Sequence, residues 1–307
     1  MRYFTVTIDV EPDCTPSWRY SDPLTFDGVR IGVRDILQPL FNRHRVAPTY
    51  LINNVVLEDR DSVETFRRLD GTYELATHLH SEFIDPEKTF SDYAGKKGEA
   101  NQCSLRPEIE LAKMENITGL FRRQFGYAPT AFRAGRFSAG PNTIRCLKVL
   151  GYKVDTSVTP HVNWNDASRQ DPVDYRGAME QPYFVAEGSY LQEDPGGPIL
   201  EIPVSITRRW RRFRRRDIWL RPVYSTRDQA VHLVREYLRK YGDRDNVVLN
   251  MMFHNVEVLP GKSPYTRNPE ECREYLGFLE SVFSRVRSEG FESVTASGLY
   301  DLYRPKV

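Results

Sequence analysis

The chain is short of cysteine, of histidine and of surplus charge, and each shortage excludes something. Its four cysteines, Cys14, Cys103, Cys146 and Cys272, are scattered over 307 residues with no CxxC pair. That spacing favours neither a disulfide framework nor a thiolate zinc site. All four read as reduced thiols, Cys146 and Cys272 within helical patterns where small buried thiols are common. A formal charge of +1 argues against a protein that binds polyanions over its whole surface. No run approaches the ~18 consecutive apolar residues that span a bilayer, and there is neither a repeat of fixed period nor a low-complexity tract. The opening "MRYFTVTIDVEPD" has no apolar h-region and passes at once into a strand pattern. The expectation is a cytoplasmic protein without a secretory signal.

What the chain does have is alternation. "RYFTVTIDV", "APTYLIN", "TYELATH", "TAFRA", "YKVDTSV", "PILEIPVSI" and "DNVVLNMMFH" read as strands, several of them apolar enough to be buried on both faces. Helical stretches fall between them. One carries Ile36, Leu37, Leu40 and Phe41, and another lies near residues 61–69. A third follows Pro107 with Leu111, Met114, Ile117, Leu120 and Phe121 at helical spacing, and further ones begin at Pro141, at Ser225–Asp228 and at Asn268–Pro269. Strand–helix alternation of this kind predicts a parallel sheet covered by helices. We expect an α/β fold, an irregular (β/α) barrel of seven strands formed by one domain over residues 1–307. The segment 157–197 reads as a loop too long for a simple connection, which points to function.

In a parallel barrel the chemistry gathers where strands end at their C-terminal edge. Those ends read "TIDVEP", with Asp9 and Glu11; "THLHSE", with His78 and His80; "FRAGR", with Arg133 and Arg136; "VDTS", with Asp155; and "MMFHN", with His254 and Asn255. Strand periodicity points His78 and His80 one way, and Asp9 and Glu11 likewise. Carboxylates and imidazoles after apolar runs are costly unless paired or metal-bound. One acid and two imidazoles make a three-ligand site with a position left open, the usual form of a catalytic zinc site. Asp9 is then free as a base and His254 as an acid from the far side. The plainer alternatives are a hydrogen-bonded structural histidine at 254 and an Asp9–Glu11 pair that caps helix N-termini. His44 and His232 lie in helical stretches and are expected to be exposed, and His161 lies in the long segment.

These stretches resemble the motifs of the NodB-homology polysaccharide deacetylases, metal-dependent carbohydrate esterases with a distorted TIM-type barrel. The likeness runs in order over most of the chain. "TIDVEP" is similar to the opening motif TFDDGP, with the D-x-E spacing of a divergent branch. The resemblance implies Asp9 as catalytic base and Glu11 as acidic ligand. The family spaces its metal-binding histidines four apart, whereas here His80 follows His78 by two and Glu82 stands at the usual distance. His80 is preferred as third ligand, because a second carboxylate would leave a poorer Lewis acid. "FRAGRF" resembles the arginine motif without its prolines, which implies Arg133 as the residue orienting the base and the backbone N–H of Arg136 as oxyanion donor. "VDTSV" with Trp164 loosely resembles the Asp/Trp motif, which makes Asp155 a partner for His254. "MMFH" is similar to the L-x-x-H motif, with Met251 against the acetyl methyl group and His254 as acid. Asn255, next to it, joins Trp164 and Met251 as a substrate contact.

The implied cofactor is one divalent metal ion, zinc first, with nickel, cobalt or iron as alternatives. Such an ion lowers the pKa of water and polarises an amide carbonyl. The implied reaction removes an N-acetyl group from a sugar, in a lipid-linked glycan or another cytosolic precursor of a surface polysaccharide. "RRWRRFRRR", Arg208 to Arg216, holds seven arginines. It reads either as a solvated loop or as a contact for phosphate, on a lipid-linked substrate or at the inner face of a membrane. No nucleic-acid-reading module is present. Two rivals stand beside this reading: a cyclic amide or imide hydrolase of the allantoinase-like branch, and a glycan-binding relative without catalysis.

Overall fold

The computed structural model describes residues 1–89, 101–164, 173–211 and 214–304. Its strands are β1 (Arg2–Val10), β2 (Pro48–Asn53), β3 (Glu74–Leu79), β4 (Ala131–Ala134), β5 (Val154–Asp155), β6 (Tyr183–Ala186), β7 (Ser189–Glu193), β8 (Leu200–Glu201), β9 (Ile206–Arg211), β10 (Arg214–Trp219), β11 (Val247–His254) and β12 (Glu292–Ser293). The α-helices are α1 (Gln38–His44), α2 (Asn54–Glu58), α3 (Arg60–Arg67), α4 (Pro107–Phe125), α5 (Pro141–Leu150), α6 (Arg227–Tyr241), α7 (Pro269–Ser288) and α8 (Ala296–Tyr303). A π-helical stretch, Gly28–Leu37, leads into α1. The start of α6 differs by one residue from the sequence reading. Its cap is Thr226, whose hydroxyl accepts from Gln229 N while the Gln229 side chain reaches back. α7 begins as its sequence dictates, with the Asn268 carboxamide accepting from the Glu270 and Glu271 N–H groups.

The sheet runs β11-β1-β2-β3-β4-β5-β8 with parallel pairing throughout, then turns antiparallel through β6 and β7, and β12 adds to β1. Seven parallel strands therefore stand in the expected order, but among the described residues no ladder joins β8 to β11. The barrel is an open, curled sheet, and the gap is stitched mainly by side chains. Val248 N donates to Gln181 Oε1 at 2.8 Å, and Gln181 Nε2 donates to Val248 O at 3.0 Å. Asn250 N donates to Ser205 Oγ at 2.8 Å, and Asn250 Nδ2 to Ile202 O at 3.0 Å. One backbone bond crosses as well, from Ser205 N to Asn250 O at 3.0 Å.

Residues in register on parallel neighbours share a face, so the interior can be read in layers. Tyr3, Leu51, Ala76, Ala131, Val154, Leu200 and Val248, one from each of the seven strands, form an apolar plug closed from below by Ala296 and Leu299 of α8. The next interior positions are polar, Thr7, Arg133, Thr156 and Asn250, and the carboxylates and histidines follow at the open end. The larger core lies between the outer face of the sheet and the helices. Part of the segment read as a loop is the β6–β7 hairpin, and residues 165–172 within it lie outside the described residues. The arginine-rich stretch is also a hairpin in backbone, β9 against β10, with Arg212 and Phe213 outside the described residues. All four cysteines are free thiols. His44 and His232 are half-buried rather than exposed.

Candidate metal centre

Two-residue periodicity brings the expected groups together. Glu11 Oε1 lies 3.3 Å from His78 Nε2 and 3.0 Å from His80 Nε2. Ligand atoms of the three residues all fall within 4.8 Å of one another, and all three residues are buried. His78 Nδ1 sits 3.1 Å from the carbonyl of Arg133. A carbonyl can only accept, so Nδ1 carries the hydrogen and Nε2 turns a lone pair inward. Behind His80 stands Glu82, with Oε1 3.5 Å from Nδ1, so Glu82 backs the imidazole rather than facing the cluster. Burial works against charge on His80, yet Glu11 and Glu82 outweigh it and lift its pKa to about 9. Burial likewise opposes ionisation of Glu82, but His80 and Arg136 hold it down to about 2. Gly135 makes room for this packing. A Cβ there would lie 2.7 Å from the Leu79 carbonyl oxygen and 3.0 Å from the His80 ring.

The nitrogen–nitrogen–oxygen donor set, the fixed tautomer of His78 and the carboxylate behind His80 fit a divalent ion such as zinc. Glu11 is held from every side. Its backbone N–H donates to Asn255 Oδ1 at 2.9 Å, and its carbonyl accepts from Asn255 Nδ2 at 3.1 Å. Its second carboxylate oxygen accepts from the Tyr20 hydroxyl at 2.9 Å. Asn255, expected against substrate, is fully buried and spends its carboxamide on this clamp.

Asp9 lies beside the triad, and its environment comes from the polar layer below. Arg133 is fully buried and directs Nη1 to Asp9 Oδ1 at 2.6 Å, Nη2 to Thr7 Oγ1 at 2.6 Å and to Thr156 Oγ1 at 3.0 Å, and Nε to Thr156 O at 2.8 Å. Burial alone would raise the Asp9 pKa, but Arg133, His78 and His254 together lower it. The free oxygen, Oδ2, faces His254 Nε2 at 3.8 Å and His78 Nε2 at 3.9 Å. Arg136 turns its guanidinium to Glu82, and both Arg136 (φ 55°) and Phe137 (φ 54°) are left-handed. Two consecutive non-glycine residues in that region are costly.

The carboxylate on His254 is Glu257, not Asp155. Its Oε1 lies 2.7 Å from His254 Nδ1 and accepts from Arg221 Nη2 at 2.8 Å, while Oε2 accepts from the Tyr275 hydroxyl at 2.7 Å. Asp155 follows the interior residue Val154 and so falls on the outer face of the sheet. There it accepts from Thr156 N at 2.8 Å, from Ser157 Oγ at 2.6 Å and from the Tyr190 hydroxyl. It stands in register with Glu201. Burial of this acid pair raises Asp155 to about 6 and Glu201 well above the carboxylate range. The same alternation corrects Met251. It is in register with Val6 on the outer face, whereas Met252, in register with Thr7, shares the face of His254.

Trp164 stacks on Phe137 (centroids 5.8 Å, 14°) and meets Trp219 edge-on at 6.4 Å. From Trp219 the aromatic contacts continue to Tyr224 (5.5 Å), Tyr265 (6.1 Å), Trp18 (5.5 Å) and finally His254 (5.0 Å). An aromatic arc thus frames the mouth from the arginine motif to His254. His161 belongs elsewhere, paired with Glu180 at 2.6 Å beside Lys240 and Tyr241. Glu257, Arg221, Tyr20 and most of the arc were missed in the sequence. Only Glu257, three residues after His254 in "HNVE", left a local signal.

No protein-family model matches the sequence, and no curated protein matches it either. Solved structures do match in fold. A protein from Parabacteroides distasonis described as a glycoside hydrolase/deacetylase has a TM-score of 0.62 at 10% identity, over 100% of this chain and 72% of that one. One from Mycobacterium smegmatis described as a polysaccharide deacetylase has a TM-score of 0.52 at 15% identity, over 95% and 92%. Puue allantoinase has a TM-score of 0.51 at 15% identity, over 99% and 88%. At such identities the likeness is one of fold. Among the described residues no helix is long and apolar enough to cross a membrane.

Proposed function

We propose that this chain is a metal-dependent hydrolase that removes an N-acetyl group from a sugar, giving acetate and the free amine. The observation that carries the proposal is the convergence of Glu11, His78 and His80 beside an acid held by Arg133 and a histidine held by Glu257. The deacetylase fold of the matching structures supports it. Zinc is the ion we assign, held by Glu11 and the two Nε2 atoms. When bound there it supplies Lewis acidity to the amide carbonyl and acidity to water.

The residues of the chain divide the remaining work. Asp9, kept ionised by Arg133, takes the proton of the attacking water at Oδ2. His254, oriented through Nδ1 by Glu257, delivers a proton from Nε2 to the departing nitrogen as the C–N bond breaks. The backbone N–H of Arg136, in its strained left-handed turn, is assigned to the oxyanion. Trp164 and Phe137 wall the acetyl side. Tyr20 and Asn255 hold Glu11 in place and do not touch substrate.

The substrate we assign is an acetylated sugar on a phosphate-bearing carrier, met at the inner face of a membrane. The β9–β10 register supports it. Arg209 stands opposite Arg216 and Arg211 opposite Arg214, with Asp217 the one acid of the two strands, opposite Arg208. So dense a set of arginines along two paired strands suits a phosphate.

The test is acetate release from N-acetylated sugars by the zinc-loaded protein, run beside ring opening of allantoin. Asp9→Asn and His254→Ala should each lower kcat by about 10²–10⁴-fold. Ring opening without acetate release, or a protein that takes up no metal, would refute the proposal.

A further inference from the structure

The loop after β3 carries three supports of the metal centre, and a buried lysine fastens it. His80 offers Nε2 to the cluster with Glu11 and His78. Glu82 stands behind His80, and the Phe83 ring lies 5.2 Å from Tyr20, whose hydroxyl holds Glu11. We infer that Lys113 of α4 is a positioning residue of this centre: its ammonium fills the place of a bound cation among the carbonyl oxygens of the loop and holds His80 and Glu82 in their metal-binding arrangement. The inference rests on the metal-centre reading of Glu11, His78 and His80 and goes further, to the residue that shapes their loop.

Lys113 is 1% exposed, an unusual place for a lysine without a paired acid. Nζ donates to Ser81 O at 2.9 Å, to Ile84 O at 2.7 Å and, at greater length, to Glu87 O at 3.5 Å. An ammonium has three donors and no acceptor, so three carbonyls use all of it, where a neutral amine would turn a lone pair on one of them. Backbone carbonyls are also the ligands by which proteins hold bare cations. Burial lowers the pKa of the ammonium, and Glu87, Asp85 and Glu82 oppose that from further off.

The other carbonyls of the loop are taken as completely. His80 O accepts from Phe83 N at 3.1 Å and Glu82 O from Thr89 N at 3.2 Å. Phe83 O accepts from Asn54 Nδ2 at 3.0 Å, and Asp85 O from Asn116 Nδ2 at 2.7 Å. Asn116 lies one turn beyond Lys113 on the same face of α4. Every carbonyl from residue 80 to residue 85 therefore has a donor, and α4 supplies those of Ser81, Ile84 and Asp85. Side chains, not a ladder, fix the segment as it leaves β3 through the turn Ser81–Phe83.

Packing alone does not account for Lys113. An apolar side chain of the same length would fill the space of the stem and satisfy none of these oxygens. Loss of Nζ leaves the Ser81 and Ile84 carbonyls buried without donors, a costly state that the loop relieves by turning them towards water. Glu82 lies between the two and turns with them, away from the Nδ1 of His80. Glu82 supports the imidazole directly, whereas Lys113 bonds to backbone alone and acts through it. Its effect is therefore on the affinity of the centre for its ion, and outer supports of this kind are worth about 10–100-fold.

The experiment cuts the ammonium out and supplies it again. Full-length wild type and Lys113→Ala are titrated with zinc against a chromophoric chelator, alone, in n-propylammonium and in 1-propanol. The first additive restores the deleted atoms from Cγ to Nζ, and the second restores their bulk without the charge. Lys113→Ala should bind zinc about 10–100-fold more weakly. n-Propylammonium should recover most of that loss and 1-propanol should not, a distinction that a packing role would not make. Zinc affinity unchanged in Lys113→Ala, or recovered no better by n-propylammonium than by 1-propanol, overturns the inference. Should that variant not fold, Lys113→Gln, which keeps two N–H donors without the charge, takes its place, and a zinc affinity equal to wild type there overturns the inference as well. Acetate release from N-acetylglucosamine is followed alongside. Weakened and rescued zinc binding without acetate release from the wild type would keep the role of Lys113 and refute the hydrolase. Acetate release with zinc affinity untouched by the variants would do the reverse, and a wild type that takes up no zinc overturns both.

Discussion

Replacing Arg133 by methionine isolates what the buried Asp9 carboxylate owes to its partner. The guanidinium has no exposed surface, and Asp9 is 3% exposed. Loss of Nη1 and Nη2 strands the Asp9 carboxylate in the interior, where removing one member of a buried pair costs about 3–5 kcal/mol. Against a total of about 5–15 kcal/mol, the variant should still fold, with a clearly lower urea midpoint. Asp9→Asn strands the guanidinium instead and should cost a similar amount. The double variant leaves neither charge alone, so its cost should fall short of the sum by about 2–3 kcal/mol. Urea unfolding followed by tryptophan fluorescence, with EDTA present to remove metal linkage, gives all four corners of the cycle. Additivity within about 0.5 kcal/mol would mean that solvent, not Arg133, keeps Asp9 charged.

Three further outcomes are expected. In competition with a chromophoric chelator, His80→Ala should abolish stoichiometric zinc binding, whereas Glu82→Gln should weaken it by about 10–100-fold; the reverse order would make Glu82 the ligand. Glu257→Gln should lower kcat by about 10²–10⁴-fold while zinc affinity stays within a factor of a few, and an unchanged pH–rate profile would count against its role on His254. The Asp155–Glu201 pair gives a pH dependence. Burial lets Asp155 keep its proton up to about 6, above the ordinary aspartate range, so the folded state binds more protons across that window and stability falls as pH rises through it, by up to about 1.4 kcal/mol per unit. Asp155→Asn should flatten that slope in denaturant unfolding between pH 4 and 6, and an unchanged slope would place its origin elsewhere.

The parts of the site that lie on strands were legible, because period two is a property of the local chain. Asp9 with Glu11, and His78 with His80, were found by that rule. The same rule places Met251 and Asp155 on the outer face, whereas the motif likeness puts them inside. Arg221 and Tyr20 were not legible. They reach the site from connections, and nothing local says that residue 221 will meet residue 257 or residue 20 residue 11. The barrel order was readable from alternation, but its incomplete closure was not. The gap lies beside β8, which is only two residues long, and "PILEIPVSI" reads as a longer strand than it forms.

That gap gives the protein a seam that can part without breaking a ladder. The amide hydrogens of Val248 and Asn250 are committed to the side chains of Gln181 and Ser205, so they open to exchange when two rotamers turn, not when a sheet unravels. Asn250 also accepts from Thr7 Oγ1 at 2.9 Å and donates to Thr156 Oγ1 at 2.9 Å, the two hydroxyls that hold Arg133. The seam and the support of Asp9 therefore share one set of hydroxyls, so that a rotamer change at Asn250 is felt by Arg133.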